Sequence, residues 1–281
     1  MYLDLYKIDG AVNMDTNPVF SNPNSLPQFQ EGLQTYKKLL KELVSNQKGT
    51  TIYKFGDGDY RFLKGQPRGS AKPGIRALSL PYSQINLQAH KVGSHKCDLY
   101  TCEMYPANIR MFKSVIDRHI NFPAEYTYGL VANKWFTKTF DSIGLIGAKE
   151  KLLLIERMMT YSEYKDYLHL NKFDDYIYFP QKFAADNLDF LEKTIRPQLE
   201  KSTSKIFLLG IGHAKSGILH KFSKWKPNSV FVDVGAGIDM ICGCINNSRP
   251  FAGAWTNYRI KDYDYSKIDY MNYNHRNEKY L

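Results

Sequence analysis

The sequence has only four cysteines, at positions 97, 102, 242 and 244. Neither spacing is that of a standard zinc pair, and four thiols in 281 residues do not make a disulfide scaffold, so free thiols are expected. No apolar run approaches the roughly 20 residues that cross a bilayer, which excludes an integral membrane segment. Residues 1–10 carry Asp4, Lys7 and Asp9 without an apolar core and do not read as a signal peptide. The expectation is a soluble, cytoplasmic protein. There is no internal repeat, no Gly-x-Ser-x-Gly elbow and no clustered histidines, which argues against a hydrolase triad. Basic residues are scattered, at Lys37-Lys38 and within 91–96, 221–226 and 276–279, rather than massed on one helix. The formal charge of +10 favours an anionic partner, for which a nucleotide-sized anion is as good an explanation as a polynucleotide. The scatter makes a nucleic-acid-binding module the weakest expectation, so no nucleic acid is expected as a partner.

What is present is an ordinary apolar fraction of 43% with a high aromatic content of 14%, enough for a large core. Residues 1–25, rich in Asn, Pro and Ser, read as an arm, 26–250 as one catalytic domain and 251–281 as a Tyr-rich tail. From Leu26 apolar residues recur every three or four positions, at Phe29, Leu33, Tyr36, Leu40 and Leu43, the period of a helix. Strands are expected at 50–55, 98–102, 126–131, 142–146, 176–179, 205–209 and 230–234. Between and beyond them lie helices at 106–119, 135–140, 148–167, 184–199, 213–225 and 239–244. Such alternation predicts an α/β fold with a doubly wound, mostly parallel, Rossmann-like sheet flanked by helices.

The most informative stretch is Tyr53-Lys54-Phe55-Gly56-Asp57-Gly58-Asp59-Tyr60. An apolar run ends in a turn bearing two carboxylates, at the strand end where open α/β sheets bind ligands. Hard oxygen ligands on a glycine turn suit a divalent cation holding a diphosphate; the competing reading is a Gly/Asp turn capping a helix. The segment 65–76 reads as a basic loop in which Arg68, Lys72 or Arg76 could meet phosphate. Three further glycine-bearing strand ends follow: Ile143-Gly144-Leu145-Ile146-Gly147, Leu209-Gly210-Ile211-Gly212-His213-Ala214-Lys215-Ser216 and Asp233-Val234-Gly235-Ala236-Gly237. Small residues there admit a phosphate to backbone N–H groups, or serve close helix–strand packing. The second stretch adds Lys215 and Ser216, and is neither a Walker A loop nor a dinucleotide fingerprint. The third is similar to the cofactor turn of S-adenosylmethionine methyltransferases, which makes such an enzyme the alternative, although that turn normally opens the sheet and here lies near its end.

Taken together these stretches resemble the GT-D-type glycosyltransferases, bacterial enzymes once catalogued only as a domain of unknown function. That family has a strand ending in Phe-Gly-Asp-Gly-Glu, a central Ile-Gly-(Leu/Val)-Ile-Gly, a late Gly-x-(Gly/Pro)-x-Ala turn and a last Asp-x-Gly-x-x-Asp strand end. The counterparts here lie at 55–59, 142–147, 209–214 and 233–239, in the same order, with Asp59 in place of Glu and Ala236 in place of a frequent histidine. The resemblance implies that Asp57 and Asp59 bind Mn²⁺ or Mg²⁺ and the diphosphate of a UDP-sugar. Gly56, Gly58, Arg61, Arg76, Gly210, Gly212, His213, Lys215 and Ser216 are the expected nucleotide-sugar contacts. Asp233 and Asp239 are the candidate catalytic bases for inversion. The activity implied is transfer of a sugar, glucose or xylose, to a hydroxyl of a glycan or glycoprotein. The Asn-, Lys- and Tyr-rich composition also suits a virus-encoded enzyme acting inside the host cell.

Overall fold

A computed structural model describes residues 26–65, 84–180, 183–245, 252, 255–268 and 278–281. The arm at 1–25 and Arg68, Lys72 and Arg76 of the basic loop lie outside the described residues, as do Tyr270 and Tyr273 of the tail. The β-branched and aromatic run Thr-Thr-Ile-Tyr-Lys-Phe forms β1 (Thr50–Phe55), buried along its whole length. Around it assemble β2 (Leu99–Cys102), β3 (Phe122–Pro123), β4 (Ile143–Ala148), β5 (Asp175–Phe179), β6 (Ile206–Gly210) and β7 (Val230–Asp233). Every pairing is parallel, in the order β3-β2-β1-β7-β6-β4-β5, so all seven carboxyl ends share one edge of the sheet. The chain is thus α/β and Rossmann-like, with β1, β7 and β6 in adjacent central places.

Helices cover both faces, which is why the strands read as nearly continuous apolar runs. On one face Ile52, Leu145, Leu208 and Val232 pack against α1 (Leu26–Ser45), α5 (Ala124–Ala132), α6 (Trp135–Thr139), α7 (Lys149–Met158), α8 (Ser162–Leu168) and α11 (Gly237–Ile241). On the other, Tyr53, Phe55, Phe207, Leu209 and Phe231 meet α2 (Asp57–Leu63), α4 (Pro106–Val115), α9 (Leu188–Lys201) and α10 (Lys215–Trp225). The predicted stripe Phe29, Leu33, Tyr36, Leu40 and Leu43 is the buried face of α1. A further helix, α3 (Leu87–Ser94), is capped by the Asn86 side chain and packs on α10. In the tail, β8 (Asn257–Arg259) pairs in parallel with β9 (Glu278–Tyr280), and Trp255, Tyr258, Ile260 and Ile268 join the first core. No described helix is long and apolar enough to cross a membrane.

Two expectations are corrected. Residues 126–131 are not a strand but the body of α5, in which seven of nine residues are buried. A helix buried on nearly every side shows no 3.6-residue period, so an apolar run of β-prone residues cannot be told from a strand. The expected single helix over 148–167 is two, because Tyr161 is extended (φ −90°, ψ 127°) between α7 and α8. The break turns Tyr164 inward, where its hydroxyl donates to the Ile241 carbonyl.

Candidate functional site

The turn after β1 places its two carboxylates on opposite sides. Gly56 is extended and caps α2, and Asp59 at the third helical position accepts the Gly56 N–H through Oδ2 at 2.9 Å. Asp57 is exposed while Asp59 is 5% exposed. Residues two apart on a helix do not face each other, so the capped helix sends one acid outward and one inward. The expected Asp57–Asp59 cation site therefore does not fit this arrangement. Both oxygens of Asp59 are also engaged: Oδ2 lies 3.0 Å from the Lys215 ammonium, and Oδ1 accepts from the Tyr53 hydroxyl at 3.3 Å. Among the described residues no group of three or more His, Cys, Asp or Glu is placed to hold a metal ion.

Lys215, from the first turn of α10, is the hub of the site. Its ammonium donates to Asp233 Oδ2 at 2.7 Å and to the Lys54 carbonyl, and it meets Asp59, so its three hydrogens face three acceptors. It also lies 4.7 Å from the centroid of the Tyr53 ring. Asp233, 2% exposed at the end of β7, accepts the Lys54 N–H at 3.3 Å and the Gly235 N–H at 2.9 Å. Gly235 is left-handed (φ +51°), and a Cβ there would sit 3.0 Å from Lys54 Cε, so the turn requires glycine. Burial opposes ionisation of Asp59, but the Lys215 ammonium and His213 more than offset it and hold its carboxyl well below the usual range. The turns after β1, β6 and β7 are thereby locked together by charge.

His213 stands over this centre on a 3-10 turn (Gly212–Ala214) that needs Gly212 at φ +54°. Its ring stacks on Phe62 with centroids 4.6 Å apart and planes 2° from parallel, and Nδ1 lies 4.0 Å from Asp59 Oδ1. His90 meets the same phenyl edge-on but is fully engaged. Its Nε2 lies 3.0 Å from the Ala185 carbonyl, and its Nδ1 lies 2.8 Å from Ser216 Oγ. Burial lowers the His90 value to about 4, so the ring is neutral with one proton. A carbonyl can only accept, hence that proton is on Nε2, while the one Ser216 hydroxyl hydrogen has two acceptors in reach, the His213 carbonyl at 2.7 Å and His90 Nδ1 at 2.8 Å. Ser216 is thus occupied beneath the site rather than open to a phosphate.

The other expected residues separate from the centre. Asp239 pairs with Lys151 at 2.5 Å over the opposite face of the sheet, and Arg61 is exposed on the last turn of α2. Gly210 is a packing glycine, since a Cβ would lie 2.6 Å from the Gly235 carbonyl and 2.8 Å from Ile238 Cγ1. Asp233 is buried and both its oxygens already accept, Oδ2 from Lys215 and the Lys54 N–H and Oδ1 from the Gly235 N–H, which does not suit a base that must reach an acceptor.

Sequence reasoning missed Lys54, Tyr128 and Glu103. Lys54 is 8% exposed and projects to the α5 side, where its ammonium donates to the Tyr128 hydroxyl at 3.2 Å. Tyr128 in turn donates to Glu103 Oε1 at 3.0 Å. Lys54 spends one N–H this way and its ammonium lies 4.9 Å from the centroid of the Tyr128 ring, while the other two N–H groups have no hydrogen-bond acceptor among the described residues. The signal was a lone lysine in a buried apolar strand, where an unpaired cation is costly.

Clefts among the described residues lie away from this centre. One of about 360 Å³, beside α3, α9 and α10, is lined by Asn86, His90, Asn187 and His220. Another, about 600 Å³, carries Lys96, Arg118, His119 and Lys224 near the carboxyl ends of α3, α4 and α10. Cations there complement the helix dipoles, so the larger cleft is explained without a ligand. Comparison with protein-family models, curated proteins and solved structures returned no match.

Proposed function

We propose that this chain is a glycosyltransferase that takes a sugar from a nucleoside-diphosphate donor, a UDP-sugar in the first instance. The acceptor is a hydroxyl of a glycan or glycoprotein. The observation that carries the reading is Lys54, an almost buried ammonium with unspent donors, at the carboxyl end of the central strand. Its side chain sits against the glycine turn at Gly235, while its backbone N–H and carbonyl join the Asp59–Lys215–Asp233 centre. A diphosphate bound at the carboxyl ends of β1 and β7 would meet that cation at low dielectric, where one charge-assisted contact is worth more than in water. Four short stretches in the order of the GT-D-type enzymes support the same assignment. Because Asp57 and Asp59 face apart, Mn²⁺ or Mg²⁺ is given no step in it.

The test is nucleotide release from a panel of UDP- and GDP-sugars, with chelator and with Mn²⁺, by wild type and by Lys54→Met. At least one donor should be turned over, and Lys54→Met should raise the donor KM about tenfold or more, the loss of one charged hydrogen bond. No release from any donor, together with S-adenosylmethionine binding by calorimetry, would replace this reading with a methyltransferase using residues 233–237.

A further inference from the structure

The geometry points to His213 as the general base that deprotonates the acceptor hydroxyl, an assignment that rests on the transferase reading. Of the two carboxylates expected to serve, Asp233 is buried and bound to Lys215 and two backbone N–H groups, and Asp239 pairs with Lys151 on the other face of the sheet. Asp59 is spent on the Gly56 N–H, Lys215 and Tyr53. His213 is different. Among the described residues the nearest polar partner of its ring is Asp59 Oδ1, 4.0 Å from Nδ1, and its side chain is 9% exposed.

Its orientation is nonetheless fixed from two directions. The coplanar stack on Phe62 sets the ring plane, and Asp59 faces the Nδ1 edge at 4.0 Å, ion-pair range rather than hydrogen-bond contact. A proton on the Nδ1 side leaves Nε2 as the lone-pair nitrogen. When Nε2 takes the acceptor proton, the imidazolium forms beside a carboxylate already held ionised. His90, one phenyl edge away, shows the contrast: its two nitrogens are both bound and its role is structural.

The step balances as a single displacement. The acceptor O–H bond breaks with its proton going to Nε2, and the freed oxygen pair forms the bond to the anomeric carbon. The bond from that carbon to the β-phosphate oxygen breaks, and its electron pair leaves on the nucleoside diphosphate. Attack opposite the leaving group inverts the anomeric centre.

His213→Gln and His213→Ala test this, with UDP release from UDP-glucose and UDP-xylose measured for each beside wild type. Both variants should lose kcat by about 10²-fold or more, the usual contribution of a general base. Donor KM and calorimetric UDP affinity should stay within threefold of wild type. Added imidazole should restore turnover to His213→Ala and leave wild type unchanged, which a merely structural histidine would not allow. Thermal melting of both variants within a few degrees of wild type establishes that they fold. Wild-type turnover with either variant within threefold in kcat overturns the assignment alone. Absence of wild-type turnover on every donor overturns the transferase reading beneath it.

Discussion

Replacing Lys215 with methionine is expected to lower the unfolding free energy by about 3–5 kcal/mol, the usual cost of removing one partner from a buried ion pair. At this chain length that corresponds to a fall in Tm on the order of 10 °C. Methionine keeps the apolar stem, which packs in α10, and removes only the ammonium. Asp233 Oδ2 and Asp59 Oδ2, 2.7 and 3.0 Å from that ammonium, then face each other without it, and the Lys54 carbonyl loses its donor. Two like charges at such separation cannot both stay ionised in a buried site, so one carboxyl takes up a proton or the turns after β1 and β7 part. The double variant Asp59→Asn with Lys215→Met should cost less than the sum of the single changes, because the three groups form one network. Urea unfolding reads all of these. A loss below about 1 kcal/mol for Lys215→Met would show that the ammonium does not hold the two strand ends.

Acidification is expected to destabilise the protein through His90 well before the carboxylates titrate. Burial lowers its folded value to about 4, whereas an unfolded histidine titrates near 6.5. Between those values the unfolded chain binds the proton and the folded chain does not, so stability falls as pH falls. The contribution is whole above about pH 6.5 and shrinks by about 1.4 kcal/mol per unit below it, about 3 kcal/mol by pH 4. His220, also lowered to about 4 by burial and by Lys221, Lys96 and Lys224, adds in the same direction but is partly exposed and contributes less. Asp59, with its lowered value, loses its contribution only below about pH 4, outside this window. Unfolding free energies at several pH values for wild type and His90→Gln check the assignment. The variant should show a shallower slope, and equal slopes would mean that the imidazole is not held neutral by burial.

The parts of the fold that were legible share one property: each buries one stripe or ends at a glycine. The α1 stripe from Phe29 to Leu43 and the strand ends at Gly56, Gly210 and Gly235 all show a clear period or a clear stop. The α5 segment was illegible because Tyr126 and Leu130 sit on a helix buried almost all round, which erases the period. At the site, Asp59, His213, Lys215 and Asp233 were each singled out, and the fold brings them together. Their division of labour was not readable, because it depends on which group faces which. Two residues of spacing cannot say that the α2 cap turns Asp59 inward and Asp57 outward. Nor can the sequence say that Lys215 reaches across to β1 and β7 instead of pointing to solvent. Lys54 was visible as an anomaly, a charge amid Thr, Ile, Tyr and Phe, and its Tyr128 contact required α5 to be a helix.

The most direct measurement is amide hydrogen exchange with and without saturating UDP. A nucleotide seated over the central strand ends should protect the amides of 54–60, 210–215 and 233–237 together. Protection confined to the cleft between α3 and α9, or none anywhere, would contradict the placement of the site on Lys54 and its neighbours.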